Sequence, residues 1–149
     1  MPRMIGTVIR TLCATWLIAG VAWASPPQGK TCTPHQAEAA DAMVDHLTDW
    51  AQVQVAFKKF AQCDDGSIAE GNSEAVVRLL ADHWQTLVQL DDLIKKDRDL
   101  KQFVLRHIDS TVNTQDLEKI GQLSASSCPR ADMAALCKEI HAAATSAAQ

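Results

Sequence analysis

The amino-acid sequence predicts an all-α fold: a single compact bundle of five to six short helices held by two disulfides. Three observations support this. Apolar residues recur at helical spacing along most of the chain, no alternating apolar–polar run of useful length is present, and a mature length of about 125 residues suits one core. We expect a flexible lead-in over residues 25–32, a helical domain over 33–144 and a frayed tail over 145–149.

The N-terminal segment 1–24 has the organisation of a cleaved secretory signal peptide. Arg3 and Arg10 give it a positive start, an apolar run covers residues 12–22, and an Ala-x-Ala sequence ends it at Ala24. The apolar run is shorter than the ~20 residues that a membrane-spanning helix requires. The sequence therefore predicts a periplasmic or secreted protein without a membrane anchor after cleavage.

The balance of charges is mildly acidic. The formal net charge is −4, and removal of the two signal-peptide arginines leaves twelve basic side chains against eighteen acidic ones, a net charge of −6. Such a chain lacks the basic surface with which proteins bind nucleic acid or anionic lipid. It suits a basic partner, although a charge of this size is also ordinary for a soluble domain.

Four cysteines remain in the mature chain, Cys32, Cys63, Cys128 and Cys137, and an even number in an oxidising compartment predicts two disulfides. A helix that begins at Pro129 would separate Cys128 from Cys137 by about 13 Å, whereas bridged Cα atoms lie ~4.4–6.8 Å apart. This disfavours Cys128–Cys137 and, with it, Cys32–Cys63. We expect Cys63–Cys137 with Cys32–Cys128; the alternative is Cys63–Cys128 with Cys32–Cys137.

The first helix starts with two signals at once. Thr33 and Gln36 have the spacing of a capping box, and Pro34 stands at the first helical position. Apolar residues then recur at helical spacing, but Asp49 can cap a second helix. Whether residues 34–62 form one helix or two stays open from the sequence.

The clearest apolar stripe lies in the middle of the chain and predicts a helix capped by Asn72 or Ser73. Its members follow the spacing of one helix face over three turns: Val76, Val77, Leu80, Ala81, Trp84, Leu87 and Val88. Residues 90–96 are expected to form a connection or a fraying helix end. Three further helices follow, each with an N-terminal signal: Asp97, Asn113 or Thr114, and Pro129.

The polar stretch 63–72 is the best candidate for a functional site. We expect a protruding acidic loop, anchored by Cys63 and hinged by glycine, whose exposed carboxylates contact positive groups of a partner protein. Its candidate binding residues are Asp64, Asp65, Gly66, Ser67, Glu70, Gly71 and Asn72. Neutral replacement of such carboxylates should change stability little. The alternative is a capped turn between helices without a binding role.

No catalytic or metal-binding motif accompanies this stretch. An EF-hand alignment on Gly66 loses three oxygen ligands, and no two of the five histidines have helical metal-ligand spacing. Each histidine is expected to be a boundary residue with one hydrogen bond. No G-x-S-x-G or C-x-x-C motif is present. We predict no enzymatic activity, cofactor or metal; the enzyme alternative is a hydrolase that uses Asp64 and Glu70.

A small exported helical domain with these features is typical of a protein-binding module. We therefore expect an envelope adaptor without catalytic activity, whose partner is another protein with a basic cleft. The alternative is an immunity or inhibitor protein against a cell-wall-degrading amidase or another hydrolase. In kind, though in no motif, the chain looks like the helical immunity proteins with which Gram-negative bacteria block amidases injected by rivals. The oligomeric state stays open.

Export is directly testable. The secreted product is expected to begin at Ser25, because Ala22 and Ala24 satisfy the small-residue rule for signal cleavage. Intact-mass measurement of protein from the exported fraction checks this. A product that retains residues 1–24, or one that carries a lipid on Cys13, would contradict it.

Overall fold

The computed structural model describes residues 31–149, so the predicted signal peptide and most of the lead-in lie outside the described residues. The expected all-α bundle with two disulfides is confirmed. Over this range the chain forms seven α-helices: α1 (Pro34–Val44), α2 (Trp50–Phe60), α3 (Gly66–Asp82), α4 (Leu87–Lys96), α5 (Arg98–Arg106), α6 (Thr114–Ser126) and α7 (Ala134–Ala147). Short 3-10 turns precede α3, α4 and α7.

Residues 34–62 form two α-helices rather than one. The capping box at the start of α1 is present, with the Thr33 hydroxyl accepting a hydrogen bond from the Gln36 backbone. Asp49 caps α2, since its carboxylate accepts from the backbone N–H of Gln52 at 2.8 Å. The turn between them places Leu47 in the core, where it is almost fully buried.

Helix α3 begins earlier than the sequence predicts, so Asn72 and Ser73 lie inside it and do not cap it. Asp65 is the N-cap, and Gly66 has φ +54°, a backbone conformation that favours glycine. At Gly71 the helix passes close to α1: a Cβ there would stand 2.9 Å from Val44. The expected hinged, protruding loop is therefore wrong, because residues 66–72 are helix packed against a neighbour.

Helix α3 is the central element of the bundle. It packs against α1, α2 and α6. Its buried residues are Ile68, Asn72, Ser73, Ala75, Val76, Val77, Leu79, Leu80 and Ala81. Nine of its seventeen residues are thus buried, as expected for a helix that contacts several neighbours, and its polar edge faces solvent.

The long apolar stripe is divided between two helices. Helix α3 ends at Asp82, and a 3-10 turn at Trp84–Thr86 redirects the chain into α4. The expected connection at 90–96 is therefore wrong, because these residues belong to α4; this division raises the number of helices to seven. Trp84 is buried at the turn, and its indole N–H donates to the Ser127 carbonyl at 2.7 Å.

The disulfides pair Cys32 with Cys63 and Cys128 with Cys137, so both expected pairings are wrong. The Cα–Cα distances are 4.9 and 6.0 Å. The error came from the assumed start of the last helix. Helix α7 begins at Ala134, and the chain before it turns back, which brings Cys128 within bonding range. The exclusion of Cys32–Cys63 depended on that assumption and fails with it.

The C-terminal helix continues further than expected. Helix α7 runs to Ala147, so most of the predicted frayed tail is helical, and Ala144 is fully buried against the core. Its packing with α6 is the most extensive contact between two helices of the bundle. None of the helices in residues 31–149 has the length and apolarity needed to cross a membrane. The two disulfides indicate an oxidising, extracytoplasmic environment.

The disulfide pairing predicts which thiol each variant exposes. Cys63→Ser should leave a reactive thiol at Cys32, and Cys137→Ser should leave one at Cys128. Cys63→Ser should also lower the free energy of unfolding by about 1 kcal/mol more, because its bridge closes the longer loop. Alkylation mapping and denaturant unfolding measure both effects. Alkylation of Cys137 in the Cys63→Ser protein would contradict the pairing.

Candidate functional site

Polar side chains converge where the first half of α3 meets the end of α5 and the loop before α6. We call this group the polar corner; its members are Asp64, Asn72, Ser73, Arg106, His107, Asp109 and Thr111. Asp64 directly follows Cys63, and the disulfide between Cys63 and Cys32 holds this part of the chain in place. Ser73 is only 1% exposed and His107 only 3%, so both need partners inside the molecule.

Local helix geometry explains why these polar residues are buried. His107 follows Phe103 and Val104 by four and three positions, and so continues the apolar stripe of α5 to its C-terminal cap. The His107 ring packs edge-on against Phe103, with centroids 4.4 Å apart. Ser73 in turn precedes Val76 and Val77 on the buried face of α3. Each residue occupies a core position with a polar side chain.

Asp64 contacts three different side chains of the corner. Its Oδ2 accepts from Arg106 Nη2 at 2.7 Å and lies 3.0 Å from His107 Nε2, while Oδ1 accepts from Asn72 Nδ2 at 3.0 Å. Burial raises the pKa of this carboxyl, but the hydrogen bonds from His107, Asn72 and Arg106 outweigh burial and lower the pKa to about 2. Asp64 is therefore an anion at any physiological pH.

Ser73 connects His107 to a second carboxylate. Its Oγ donates to Asp109 Oδ2 at 2.8 Å and lies 2.9 Å from His107 Nδ1. Asp109 Oδ1 accepts from both the backbone N–H and the hydroxyl of Thr111. Burial raises the pKa of Asp109, and the bonds from Thr111 and Ser73 lower it further than burial raises it. The result is a continuous chain of contacts from Asp64 through His107 and Ser73 to Asp109.

A surface cavity of about 200 Å³ opens onto this chain of contacts. Its lining includes Asp64, Glu70, Ser73, Arg106, His107, Asp109 and Thr111. A second cavity of about 340 Å³ shares Thr111 with the first. Its lining includes Glu74, Arg78, Asp82, Asn113 and Asp116. We call these two adjoining cavities the acidic groove; it follows the exposed edge of α3.

The structure separates the sequence-predicted site residues into three groups. Asp64 and Glu70 line the same cavity, and Asn72 supports Asp64 from the core. Asp65 and Gly66 form the start of α3, and Gly71 packs against α1. The Ser67 hydroxyl donates to Asp41 on α1 at 3.3 Å. The predicted stretch thus contributes two groups to the cavity rather than a continuous binding loop.

Sequence reasoning missed five members of the site: Ser73, Arg106, His107, Asp109 and Thr111. It assigned Ser73 to a helix cap and gave His107 a single hydrogen bond, whereas the buried ring contacts Asp64 and Ser73 through both nitrogens. A signal was available, because Ser73 and His107 both fall on apolar stripes. A polar residue at a core position must be hydrogen-bonded, and such residues often mark a site.

Ser73, His107 and Asp64 contact one another in the order nucleophile, base and carboxylate. Ser73 Oγ meets one ring nitrogen of His107, and Asp64 meets the other, which is the arrangement that activates a serine in acyl transfer. Asp109 works against that chemistry, because it accepts the Ser73 hydroxyl proton at 2.8 Å. Within residues 31–149, no three His, Cys, Asp or Glu side chains are placed to hold a metal ion.

Comparison with protein-family models, with curated proteins and with solved structures finds no match for this chain. The function must therefore be argued from the chemistry of the site itself, because a helical-bundle architecture by itself implies no activity.

The depressed pKa of Asp64 predicts a pH-dependent contribution to stability. A carboxyl with a pKa of about 2 when folded and an ordinary value of 3.8 stabilises the fold above pH 4, and this stabilisation is lost as pH falls toward 2. Asp64→Asn should therefore lower the free energy of unfolding by about 2 kcal/mol at neutral pH. The difference from the parent protein should shrink between pH 4 and 2.

Asp65→Asn is the matched control for this prediction. Asp65 is exposed and caps α3, and asparagine caps a helix about as well as aspartate does. Its stability should stay within a few tenths of a kcal/mol of the parent protein. Chemical denaturation at several pH values measures both variants. Equal effects of the two substitutions would mean that Asp64 is an ordinary surface carboxylate.

Proposed function

We propose that this protein is an exported protein-binding module that holds a basic segment of its partner in the acidic groove. The observation that carries the proposal is the lining of the groove. Six carboxylates border it, those of Asp64, Glu70, Glu74, Asp82, Asp109 and Asp116, against two arginines, His107 and Lys119, which pairs with Asp82 at 3.0 Å. A groove with this excess of negative charge complements lysine and arginine side chains.

The rest of the surface supports a polar mode of recognition. Val55 is the single large hydrophobic residue that is exposed in residues 31–149. A partner therefore finds few exposed large apolar side chains on this part of the chain, and charge complementarity provides much of the specificity at the acidic groove. Protein-binding surfaces of this kind depend strongly on ionic strength.

The groove combines fixed and adjustable carboxylates. Asp64 and Asp109 are held by several hydrogen bonds each, so their positions need little further ordering when a ligand arrives. Glu70 and Glu74 are exposed and form no ion pair within residues 31–149. They are therefore available to pair with charges that a partner brings.

The compartment follows from two kinds of evidence. The disulfides require an oxidising environment, and the sequence of residues 1–24 has the features of a signal peptide. We propose a periplasmic or secreted location for the mature chain. In that compartment the module acts as an envelope adaptor, or as an immunity or inhibitor protein when the bound partner is a hydrolase.

Matched charge variants test the binding function. Immobilised residues 25–149 should capture a basic partner from the exported protein fraction, and roughly 0.5 M salt should release it. Glu70→Gln with Glu74→Gln should weaken capture at least about tenfold, as the loss of two facing charges does. Glu38→Gln with Asp99→Asn, two exposed carboxylates outside the groove, should leave capture unchanged.

A further variant tests another concave surface, outside the acidic groove. An apolar groove of about 430 Å³ lies between α6 and α7 and includes Ala125 in its lining. Ala125→Glu should not affect capture. If Ala125→Glu abolishes capture and the two glutamine substitutions do not, the interface lies on α6 and α7 and the proposal fails. Inhibition of the captured partner's enzymatic activity would distinguish an inhibitor from an adaptor.

A serine hydrolase is the second candidate, and the contacts among Ser73, His107 and Asp64 favour it. A fluorophosphonate probe forms a covalent adduct with an activated serine. Binding without catalysis predicts no adduct on Ser73, since this residue is only 1% exposed and Asp109 competes with His107 for its hydroxyl proton. An adduct that disappears in Ser73→Ala would instead support the hydrolase.

A further inference from the structure

The polar corner contains more hydrogen-bond acceptors than a neutral histidine can satisfy. Three contacts join Asp64, His107, Ser73 and Asp109 in sequence. The two ends of the chain are carboxylates, which only accept when ionised. Every contact can therefore hold a hydrogen only when the His107 ring carries one on each nitrogen.

With a charged His107, the pattern of donors is complete. The ring donates through Nε2 to Asp64 and through Nδ1 to Ser73, and the Ser73 hydroxyl donates to Asp109.

With a neutral His107, one contact loses its hydrogen. Retention of the Nε2 proton beside the buried Asp64 anion leaves Nδ1 as an acceptor. The Ser73 hydroxyl can then donate to Nδ1 or to Asp109, but it has a single hydrogen. Asp109 Oδ2 becomes free when the hydroxyl turns toward the ring.

We infer that the Ser73 hydroxyl rotates according to the charge of His107: it donates to Asp109 when the ring is charged and to the ring when it is neutral. The acidic groove therefore binds cationic groups more strongly when His107 is neutral. This inference rests on the proposed function, because it specifies how the same groove is regulated. The ligand class is an ammonium or guanidinium group of a partner. We call this coupling of His107 to Asp109 through the Ser73 hydroxyl the relay; it operates with or without a bound partner.

The charged groups that face His107 determine how much its own charge changes the binding of a cation. In residues 31–149 they are Asp64, Arg106, Asp109 and Glu70, all of which border the same cavity. With a charged ring the cavity carries a net charge of about −1, and with a neutral ring about −2. One unit charge at ~8 Å and an effective dielectric constant of ~40–80 changes cation binding roughly two- to six-fold.

NMR on the partner-free protein tests the relay. The Thr111 amide donates to Asp109 Oδ1 and therefore reports on the electron distribution of that carboxylate. Between about pH 5 and about pH 8, the Thr111 amide proton shift should follow the ring nitrogen shifts of His107. In Ser73→Ala, the response of Thr111 relative to the ring nitrogen shifts of His107 should fall to less than about half. The part of the Thr111 response that remains is the effect of the ring charge acting directly through space.

Two outcomes would overturn the relay. A Thr111 response of equal size in Ser73→Ala would show that the ring acts through space without the hydroxyl. Absence of any Thr111 response in the parent protein would show that Asp109 does not sense His107. Because Ser73 is buried, the helical circular dichroism and amide spectrum of Ser73→Ala establish that it is folded; Ser73→Thr, which keeps a hydroxyl, should restore the response.

Peptide binding at two pH values tests the consequence for the groove. An arginine-rich peptide should bind the parent protein about two- to six-fold more tightly at about pH 8 than at about pH 5.5, at constant ionic strength. His107→Gln should remove this dependence, and His46→Gln, an exposed histidine on another part of the surface, should keep it. Retention of the dependence in His107→Gln would refute the regulation. Loss of peptide binding at both pH values with an intact NMR relay would refute the proposed function instead.

Discussion

Two polar side chains on the buried face of α3 impose the constraint on which the polar corner depends. Asn72 and Ser73 lie in the core, and an unpaired buried polar group costs about 1–3 kcal/mol. Asp64 accepts from the Asn72 amide nitrogen, and His107 and Asp109 supply partners for Ser73. These contacts attach the start of α3 to the end of α5 and to the following loop. The groove lies at the junction that they fix.

Charge is organised differently in the two ion-pair clusters of the bundle. In the polar corner, the buried carboxylate of Asp64 meets Arg106 and His107 beside an open cavity. On α4, Asp91 pairs at 2.6 Å with both Lys95 and Arg130, which attaches the segment before α7 to the bundle. The α4 cluster thus supports the turn that leads into α7. The polar corner borders an open cavity that a ligand can enter.

The candidate site could be predicted only in part. The acidic character of residues 64–72 was evident from the sequence, and Asp64 and Glu70 do line the groove. Their position in a helix was not evident, because Gly66 and Gly71 resemble hinges when a chain is read alone. Gly66 instead takes a positive φ at the helix start, and Gly71 allows α1 to approach closely. His107 and Asp109 come from a segment more than thirty residues away from Ser73, and helical periodicity does not specify such distant pairs.

The sequence by itself determined the helical class, the cap of α2 at Asp49, the capping box of α1 and the number of disulfides, because these depend on local spacing and on cysteine count. Tertiary structure decided which cysteines pair, where α3 and α7 begin, and which polar residues meet. Cys128 reaches Cys137 only because the chain turns back before α7. Such choices depend on how separate helices pack and on the partners that each buried polar group finds, and these are properties of the assembled core.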